Sequence, residues 1–181
     1  MKNLVKKKNF SLLEIDFCIP TLSRESFRNK KKYGASAFWD IGYYNISLIQ
    51  ILFSINKLNN FNLDMKYKSS IDYYGSLNFQ INKLIVKLQW GYGFNYINKF
   101  RISSENKLIE MDYIFSKKPN KSTRLIIRNK NKKKYQYKPV NQFDYIFEIF
   151  YQLYLNYDLA KKEMKVISNR INLIDSIYKS K

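Results

Sequence analysis

Apolar and polar positions alternate at the start of the chain and then change to a helical spacing. Between Phe10 and Ile19 the apolar residues mark a half-buried strand, which Pro20 ends. After a basic loop that runs through Lys32, apolar residues recur three, four or seven positions apart, a spacing typical of a helix over Ser36–Phe53. These residues are Phe38, Ile41, Leu48, Ile49 and Leu52. Gly34 permits a tight entry into that helix.

The middle of the chain, from Asn62 to Tyr137, has short runs of β-branched and aromatic residues. Such runs predict several antiparallel strands joined as a meander. The turn signals are Gly75, Asn82-Lys83, Glu105-Asn106 and Pro119-Asn120. A charged run, Asn129–Lys134, is typical of a solvated hairpin tip.

Two apolar stripes at helical spacing predict two closing helices. The first comprises Phe143, Ile146, Phe147, Phe150, Leu153 and Tyr157, and the second Met164, Ile167, Ile171, Ile174 and Tyr178. The order strand, helix, many strands, two helices predicts an α+β fold with an open, mainly antiparallel sheet and helices packed on one face.

At 181 residues the chain has the length of one domain, expected to span 1–181. No run has the length and apolar character of an export signal or a membrane span. One cysteine, Cys18, excludes an intrachain disulfide, and the absence of histidine removes the usual zinc and imidazole sites, so no metal is predicted. These features favour a cytoplasmic location.

The net charge of +19 would ordinarily indicate a polyanionic partner. Lys, Asn, Ile, Tyr and Phe are, however, abundant throughout the sequence, a bias that an AT-rich genome produces in any protein class. Lys and Arg are also scattered rather than clustered with aromatic residues, so binding to nucleic acid is the weaker interpretation.

Trp90-Gly91-Tyr92-Gly93 begins like a dinucleotide-binding fingerprint, and Glu110 follows at about the distance of a ribose ligand. The third small residue of such a fingerprint would fall on Tyr96, however, and strands are predicted to follow instead of a helix. The pyrophosphate of a dinucleotide needs a helix N-terminus, so no nucleotide site is predicted here.

The predicted helix over Ser36–Phe53 begins with a polar stripe. Asp40 and Tyr44 stand four residues apart, and Ser47 extends the same face. Small residues at Gly34–Ala37 would let a ligand or another backbone approach closely. On residue types alone the structural interpretation is the more common one: a carboxylate that favours the helix dipole and a partly buried aromatic ring.

The segment FRNKKKYGASAFWDIGYYNIS resembles the pattern R-x5-G-G/A-x4-D-x-G-x-Y-x-x-S of the Gfo/Idh/MocA oxidoreductases, at the start of the long helix of their C-terminal domain. Further similar segments occur in the family's order, within its nucleotide-sugar ketoreductase branch. They are Phe17–Pro20, Trp90–Asn98, Asp112–Pro119, Asn141–Phe143 and Ile174–Ser180. The resemblance therefore covers residues 11–181, and 1–8 resemble only the end of the preceding helix.

The resemblance implies a substrate-binding and oligomerisation domain without the Rossmann domain that holds NAD or NADP. It assigns catalytic roles to Tyr44, as the proton donor to a sugar carbonyl, and Asp40, and substrate contacts to Arg28, Tyr43 and Ser47. The expected function is the substrate half of a sugar or nucleotide-sugar oxidoreductase that binds no cofactor alone and is inactive without a Rossmann partner.

The alternative is a non-catalytic assembly module, or a truncated remnant, that pairs with a full-length homologue. In both cases the many strand residues that are aromatic or β-branched predict a homo-oligomer formed through the open sheet face.

Overall fold

The computed structural model describes Val5 and residues 9–181, so the expectation for the other residues of 1–8 lies outside the described part. One eight-stranded sheet forms the frame, in the order β2-β3-β4-β1-β5-β6-β7-β8. The strands are β1 (Leu12–Ile19), β2 (Phe61–Lys68), β3 (Ile71–Ile81), β4 (Leu84–Tyr92), β5 (Ile97–Ser104), β6 (Lys107–Asp112), β7 (Thr123–Arg128) and β8 (Lys132–Tyr137).

The helices are α1 (Tyr43–Phe53), entered through a π-helical turn at Phe38–Gly42, then α2 (Gln142–Leu155) and α3 (Tyr157–Tyr178). Short 3-10 turns at Phe27–Asn29 and Lys31–Tyr33 lie in the loop after β1. The predicted α+β fold with an open, mainly antiparallel sheet is confirmed. None of the described helices combines the length and apolar character needed to span a membrane.

Strand β1 lies in the middle of the sheet and pairs with β4 in parallel and with β5 in antiparallel orientation. The predicted meander therefore holds for β2–β3–β4 and for β5–β8, but the two halves are joined through β1. The carboxyl ends of β1 and β4, at Ile19 and Tyr92, meet at one edge because the two strands run in the same direction.

The core lies between this sheet and α1, and Leu173, Ile174 and Ile177 of α3 pack into it. Alternate residues of the central strands are buried on the helix side, among them Leu13, Ile15, Phe100 and Ile102. Asn45 of α1 is fully buried, and its Nδ2 donates to the Gln89 carbonyl at 2.7 Å. This hydrogen bond fixes α1 across the β1–β4 pair.

The predicted turn at Gly75 is wrong, because Gly75 lies inside β3 and the chain reverses at Ser69-Ser70 instead. A Cβ on Gly75 would lie 2.3 Å from Cζ2 of Trp90, and one on Gly42 would lie 2.9 Å from the same indole. Both glycines therefore provide the space in which the fully buried Trp90 ring sits. The turns at Asn82-Lys83, Glu105-Asn106 and Pro119-Asn120 are confirmed.

The open face of the sheet is polar, whereas the sequence predicted an apolar face. The Glu110 side chain is 10% exposed and contacts Arg101 at 3.2 Å and Arg128 at 3.1 Å. Arg124 pairs with Asp112 at 2.7 Å in the neighbouring row. The largest exposed apolar surface in the described part of the chain is on α2, which buries no residue.

Candidate functional site

The π-helical turn at Phe38–Gly42 positions the polar residues at the carboxyl ends of β1 and β4. Asp72 of β3, which is 2% exposed, accepts the Phe38 N–H at 2.7 Å. A carboxylate at this position satisfies one of the free N–H groups with which the helical segment begins. The turn of π-helix changes the direction of Asp40 relative to the residues of α1, and such turns are frequent at functional sites.

Asp40 is held by two partners. The Nε of Arg28 lies 2.8 Å from Asp40 Oδ2, and the Tyr92 hydroxyl donates to the same oxygen at 2.8 Å. Burial, followed by the bond to Asp40, raises the pKa of Tyr92 far above its ordinary value, so Tyr92 stays a donor at all physiological pH values. The three side chains form a fixed polar group at the end of β4.

A cavity of about 190 Å³ opens beside this group. Its lining combines Arg28, Asp40 and Tyr92 with the small residues Gly34 and Ala35. Gly34 has a φ of 74°, in the left-handed region, which a larger residue would adopt only with strain. The small residues predicted to admit a ligand therefore do line a space next to the predicted carboxylate.

Tyr43 and Tyr44 form a second group, on the first turn of α1. Their ring centroids are 4.1 Å apart. Burial is the main cause that raises the pKa of Tyr43 well above its ordinary value, and the neighbouring Tyr44 side chain adds to it. Tyr44 packs edge-on against Phe17 at 5.6 Å and against Phe115 at 5.5 Å. Tyr43 therefore stays protonated beside Tyr44.

The predicted polar stripe is only partly formed. Arg28, Asp40, Tyr43 and Tyr44 lie on or around the first turns of the helix and retain some exposure, whereas Ser47 is 8% exposed and its buried hydroxyl has no hydrogen-bond partner among the described residues. The stripe ends one turn earlier than the sequence spacing suggested.

Three residues of this region were missed by sequence reasoning: Tyr92, Asp72 and Asn45. Tyr92 belongs to the Trp90–Gly93 segment, and only the tertiary structure places it at the end of a strand parallel to β1. Asp72 bonds to Phe38, 34 residues away in the chain, and Asn45 bonds to Gln89, 44 residues away. Nothing in the local sequence around Asp72 or Asn45 signals these contacts.

The Trp90–Gly93 segment does not have the geometry of a dinucleotide fingerprint. Strand β4 continues through the turn at Gly93 into β5, so no helix follows the glycines of Trp90–Gly93. No group of three or more His, Cys, Asp or Glu side chains suited to a metal occurs in the described residues.

No family model matches the sequence, and no curated protein matches it either. Solved structures do match the fold. KijD10, a 3-ketoreductase from Actinomadura kijaniata in complex with NADP and TDP-benzene, superposes with a TM-score of 0.82 at 14% identity, over 97% of this chain and 56% of that one.

Two further oxidoreductases show the same fold. Aldose-aldose oxidoreductase from Caulobacter crescentus has a TM-score of 0.68 at 14% identity, over 97% of this chain and 57% of that one. UDP-N-acetylglucosamine 3-dehydrogenase GnnA from Acidithiobacillus ferrooxidans has a TM-score of 0.54 at 9% identity, over 77% of this chain and 44% of that one. The chain thus spans little more than half the length of the first two structures and less than half of the third.

All three are oxidoreductases of the Gfo/Idh/MocA type. The fold of this chain is that of their C-terminal domain, as the resemblance at Phe27–Ser47 implied.

Proposed function

We propose that this chain is the substrate-binding part of an NAD(P)-dependent oxidoreductase that acts on a sugar or a nucleotide-sugar. The observation that carries the proposal is the Arg28–Asp40–Tyr92 group at the carboxyl end of β4, with the Tyr43–Tyr44 pair three and four residues after Asp40 in the same helical segment. The shared fold with KijD10, whose complex contains NADP and TDP-benzene, supports it.

The proton donor in this proposal is Tyr44. Reduction of a sugar ketone leaves negative charge on the carbonyl oxygen, and a phenol can protonate that oxygen as the charge develops. Tyr43, kept protonated by its surroundings and in ring contact with Tyr44, stabilises the phenolate that remains by donating a hydrogen bond to it. Tyr43 is therefore a positioning residue, and through it the first turn of α1 supports the proton transfer.

Asp40 orients the substrate. Its contacts with Arg28 and Tyr92 are both made to Oδ2, so Oδ1 remains to accept a hydrogen bond from a sugar hydroxyl. Arg28 and Tyr92 hold the carboxylate in one orientation before substrate arrives, which reduces the entropy that binding costs. Ser47, which the resemblance assigns to substrate, is in this proposal a contact made only after a local rearrangement, because it is buried.

The nicotinamide cofactor is supplied by a second domain, on the same polypeptide or on a separate chain. We infer that this domain docks on α2. Ten large apolar residues at 143–157 are each more than half exposed, with Phe147 at 69% and Tyr154 at 79%. At roughly 150–250 Å² for an aromatic side chain, they expose on the order of 1,000 Å², enough for one side of a stable interface, which needs about 800 Å².

The charge distribution agrees with a docking surface. Residues 139–160 contain no Lys or Arg, although the chain carries 33 of them. The compositional bias that spreads lysine over the rest of the protein is interrupted where an apolar partner would lie. Charged residues are generally depleted in the centre of protein interfaces.

The decisive test of function is turnover of the completed enzyme with nucleotide-sugars and NADPH, comparing wild type with Tyr44→Phe. Loss of the proton donor should lower kcat by a factor on the order of 10² to 10⁴ and change KM little. Tyr135→Phe, on the exposed strand β8 and away from both the site and α2, is the matched control and should behave as wild type. Equal kcat values for wild type and Tyr44→Phe would exclude the proton-donor role.

Docking is tested separately by size-exclusion chromatography with the cofactor domain. Phe147→Lys with Phe150→Lys should abolish co-elution, whereas Ile85→Lys, an exposed apolar residue of β4, should not. Co-elution of the double variant with the cofactor domain would show that the docking surface is not on α2.

The second candidate function is a non-catalytic assembly module, which the exposed α2 also favours. Such a module would dock on the partner equally well but show no dependence of turnover on Tyr44. Homo-oligomerisation through the sheet face remains a proposal. Since that face carries charged rows, a dimer formed through it should dissociate as salt is raised to about 0.3 M, which light scattering can follow.

A further inference from the structure

The segment Tyr113–Ser122, between β6 and β7, encloses two adjoining cavities with the start of β5. Their volumes are about 550 and 670 Å³, and both are lined by Tyr96, Tyr113 and Lys121. Together they form one open cleft, which we name the β6–β7 cleft.

The first cavity of this cleft is strongly basic. Lys117, Lys118 and Lys121 line it, and none of them is in an ion pair among the described residues. Lys117 Nζ donates to the Val140 carbonyl at 2.9 Å, and Lys121 Nζ lies 5.1 Å from the centre of the Tyr113 ring. Three cations without carboxylate partners on one short loop create a site for a multiply charged anion.

The second cavity has an aromatic wall and neutral hydrogen-bonding groups. The Tyr96 and Tyr113 rings are stacked with centroids 6.2 Å apart, and Tyr96 donates to the Ser116 carbonyl at 2.7 Å. Asn120 and Gln136 place amides in the lining. Two of its cations, unlike those of the first cavity, are paired: Arg124 with Asp112 at 2.7 Å, and Lys99 with Glu110 at 3.8 Å.

Tyr113 has a φ of 56°, in the left-handed region. For a bulky residue this conformation is strained and persists only where the surroundings enforce it. Here the Tyr113 N–H donates to the Asn98 carbonyl at 2.7 Å, and the stack against Tyr96 holds the ring in the cleft. The aromatic wall is thus fixed before any ligand arrives.

The cleft adjoins the tyrosines of the candidate site. Asn98 Oδ1 accepts the Phe115 N–H at 3.1 Å and so holds this residue, whose ring contacts Tyr44. Ser116 and Lys117 follow directly and line the basic cavity. A ligand whose one end reaches Tyr44 can therefore place its next groups beside the three lysines.

We propose that the β6–β7 cleft binds the nucleoside diphosphate of a nucleotide-sugar, with the diphosphate at Lys117, Lys118 and Lys121 and the base against Tyr96 and Tyr113. The inference rests on the proposed function, since it is the sugar end that lies at Tyr44. Aromatic side chains stack on any base, and neighbouring amides can bond to the base edge.

A third cavity, of about 720 Å³, is the rival location. It is lined by Arg24, Lys68 and Tyr92 among others, and Tyr67 on its wall already accepts a contact from Lys181 Nζ at 3.1 Å. With two cations instead of three, it is the weaker diphosphate site. It supplies the comparison variants for the experiment.

The experiment is calorimetric titration of the full chain with UDP, TDP, UMP and pyrophosphate. UDP and TDP should bind more tightly than UMP. Lys118→Ala with Lys121→Ala should weaken UDP binding by about tenfold or more, equivalent to about 1.4 kcal/mol. Lys130→Ala with Lys133→Ala, at the β7–β8 hairpin, is the charge-matched control and should leave the UDP affinity within about twofold of wild type.

A second variant separates base from phosphate. Tyr96→Leu should weaken the binding of UDP and leave the binding of pyrophosphate unchanged, because only the base contacts the tyrosines. Thermal unfolding of every variant checks that the fold is retained.

Three results would overturn the proposal: no measurable UDP binding, loss of UDP binding in Arg24→Ala with Lys68→Ala instead, or a single-stranded RNA 12-mer that binds far more tightly than UDP through the same lysines. Failure of the proposed function is distinguishable. UDP binding through the cleft with no turnover of nucleotide-sugars by the completed enzyme would retain the cleft and remove the oxidoreductase. Turnover of free sugars without any effect of UDP would retain the oxidoreductase and remove the cleft.

Discussion

Helices α1 and α2 have similarly apolar sequences and opposite environments. In α1, Ile46, Ile49 and Leu52 are each 1% exposed against the β1–β4 pair. In α2, Phe147 and Phe150 are 69% and 68% exposed, and the helix contacts α3 rather than the sheet. The comparison shows that apolar periodicity identifies a helix face that must be covered, but not what covers it.

The difference is also visible in polar groups. Asn45 of α1 is fully buried and bonded to the sheet, and Asp72 caps the turn that precedes α1. The capping residue of α2, Asn141, bonds only to the first turn of its own helix. The position of α1 is therefore set by the sheet, whereas α2 has no equivalent contact in the described residues.

The largest expected difference is in stability. Ile49→Ala should lower the free energy of unfolding by about 2–5 kcal/mol, because it leaves a cavity in the core. Phe147→Ala removes more apolar surface, but that surface is already in water. The free energy of unfolding should therefore change by no more than about 0.5 kcal/mol. Urea unfolding of the chain on its own measures both. A cost of several kcal/mol for Phe147→Ala would mean that α2 is packed in solution.

A second prediction concerns the space beneath α1. Gly75→Ala should destabilise the fold by about 1–3 kcal/mol, because the new methyl group would collide with the rigid Trp90 ring. Gly34→Ala is the control, since a Cβ on Gly34 would meet no atom within 4 Å and its cost of about 1 kcal/mol arises from the left-handed φ alone. Near-UV circular dichroism of Trp90 should change in the first variant and not in the second.

Alkaline pH should destabilise the fold through Tyr43 of α1 and Tyr92, which lies beside the turn that precedes α1. Burial raises the pKa of Tyr43 and Tyr92 in the folded state above their unfolded value of about 10. As pH rises past that value, the unfolded chain releases protons that the folded chain keeps, so the free energy of unfolding falls by up to about 1.4 kcal/mol per pH unit and group. Below pH 10 this contribution is fully present. The free energy of unfolding of Tyr92→Phe should fall less steeply between pH 10 and 11 than that of wild type. Identical slopes of the free energy of unfolding against pH would contradict the burial of Tyr92.

The smallest effect is expected at the start of α2. Asn141→Ala removes an N-cap, a change of about 1 kcal/mol for the helix itself. Because α2 buries no residue, its first turn can fray without unfolding the sheet, so helix content by far-UV circular dichroism should fall while the urea midpoint stays nearly constant. A shift of the midpoint as large as that of Ile49→Ala would show that α2 and the core unfold together.

The secondary-structure elements and the fold class can be predicted from the sequence. Pro20 ends β1, Asn82-Lys83 and Glu105-Asn106 form turns, and the periodicities of α1, α2 and α3 lie where the helices are. These features depend on residues close together in the chain, through φ restrictions, turn geometry and side-chain spacing, and local sequence records such interactions.

How these elements meet depends on contacts between residues far apart in the chain. The parallel pairing of β1 with β4 joins residues 73 positions apart, as in Leu12 with Ile85, and it is this pairing that brings Tyr92 to Asp40. Glycine is typical of turns, yet Gly75 lies within β3, opposite Trp90 in β4, and provides space for that ring. Long-range packing selects among arrangements that the local sequence leaves equally open. The burial of Trp90, and the hydrogen bonds made by the buried Asp72 and Asn45, exist only once distant strands have come together.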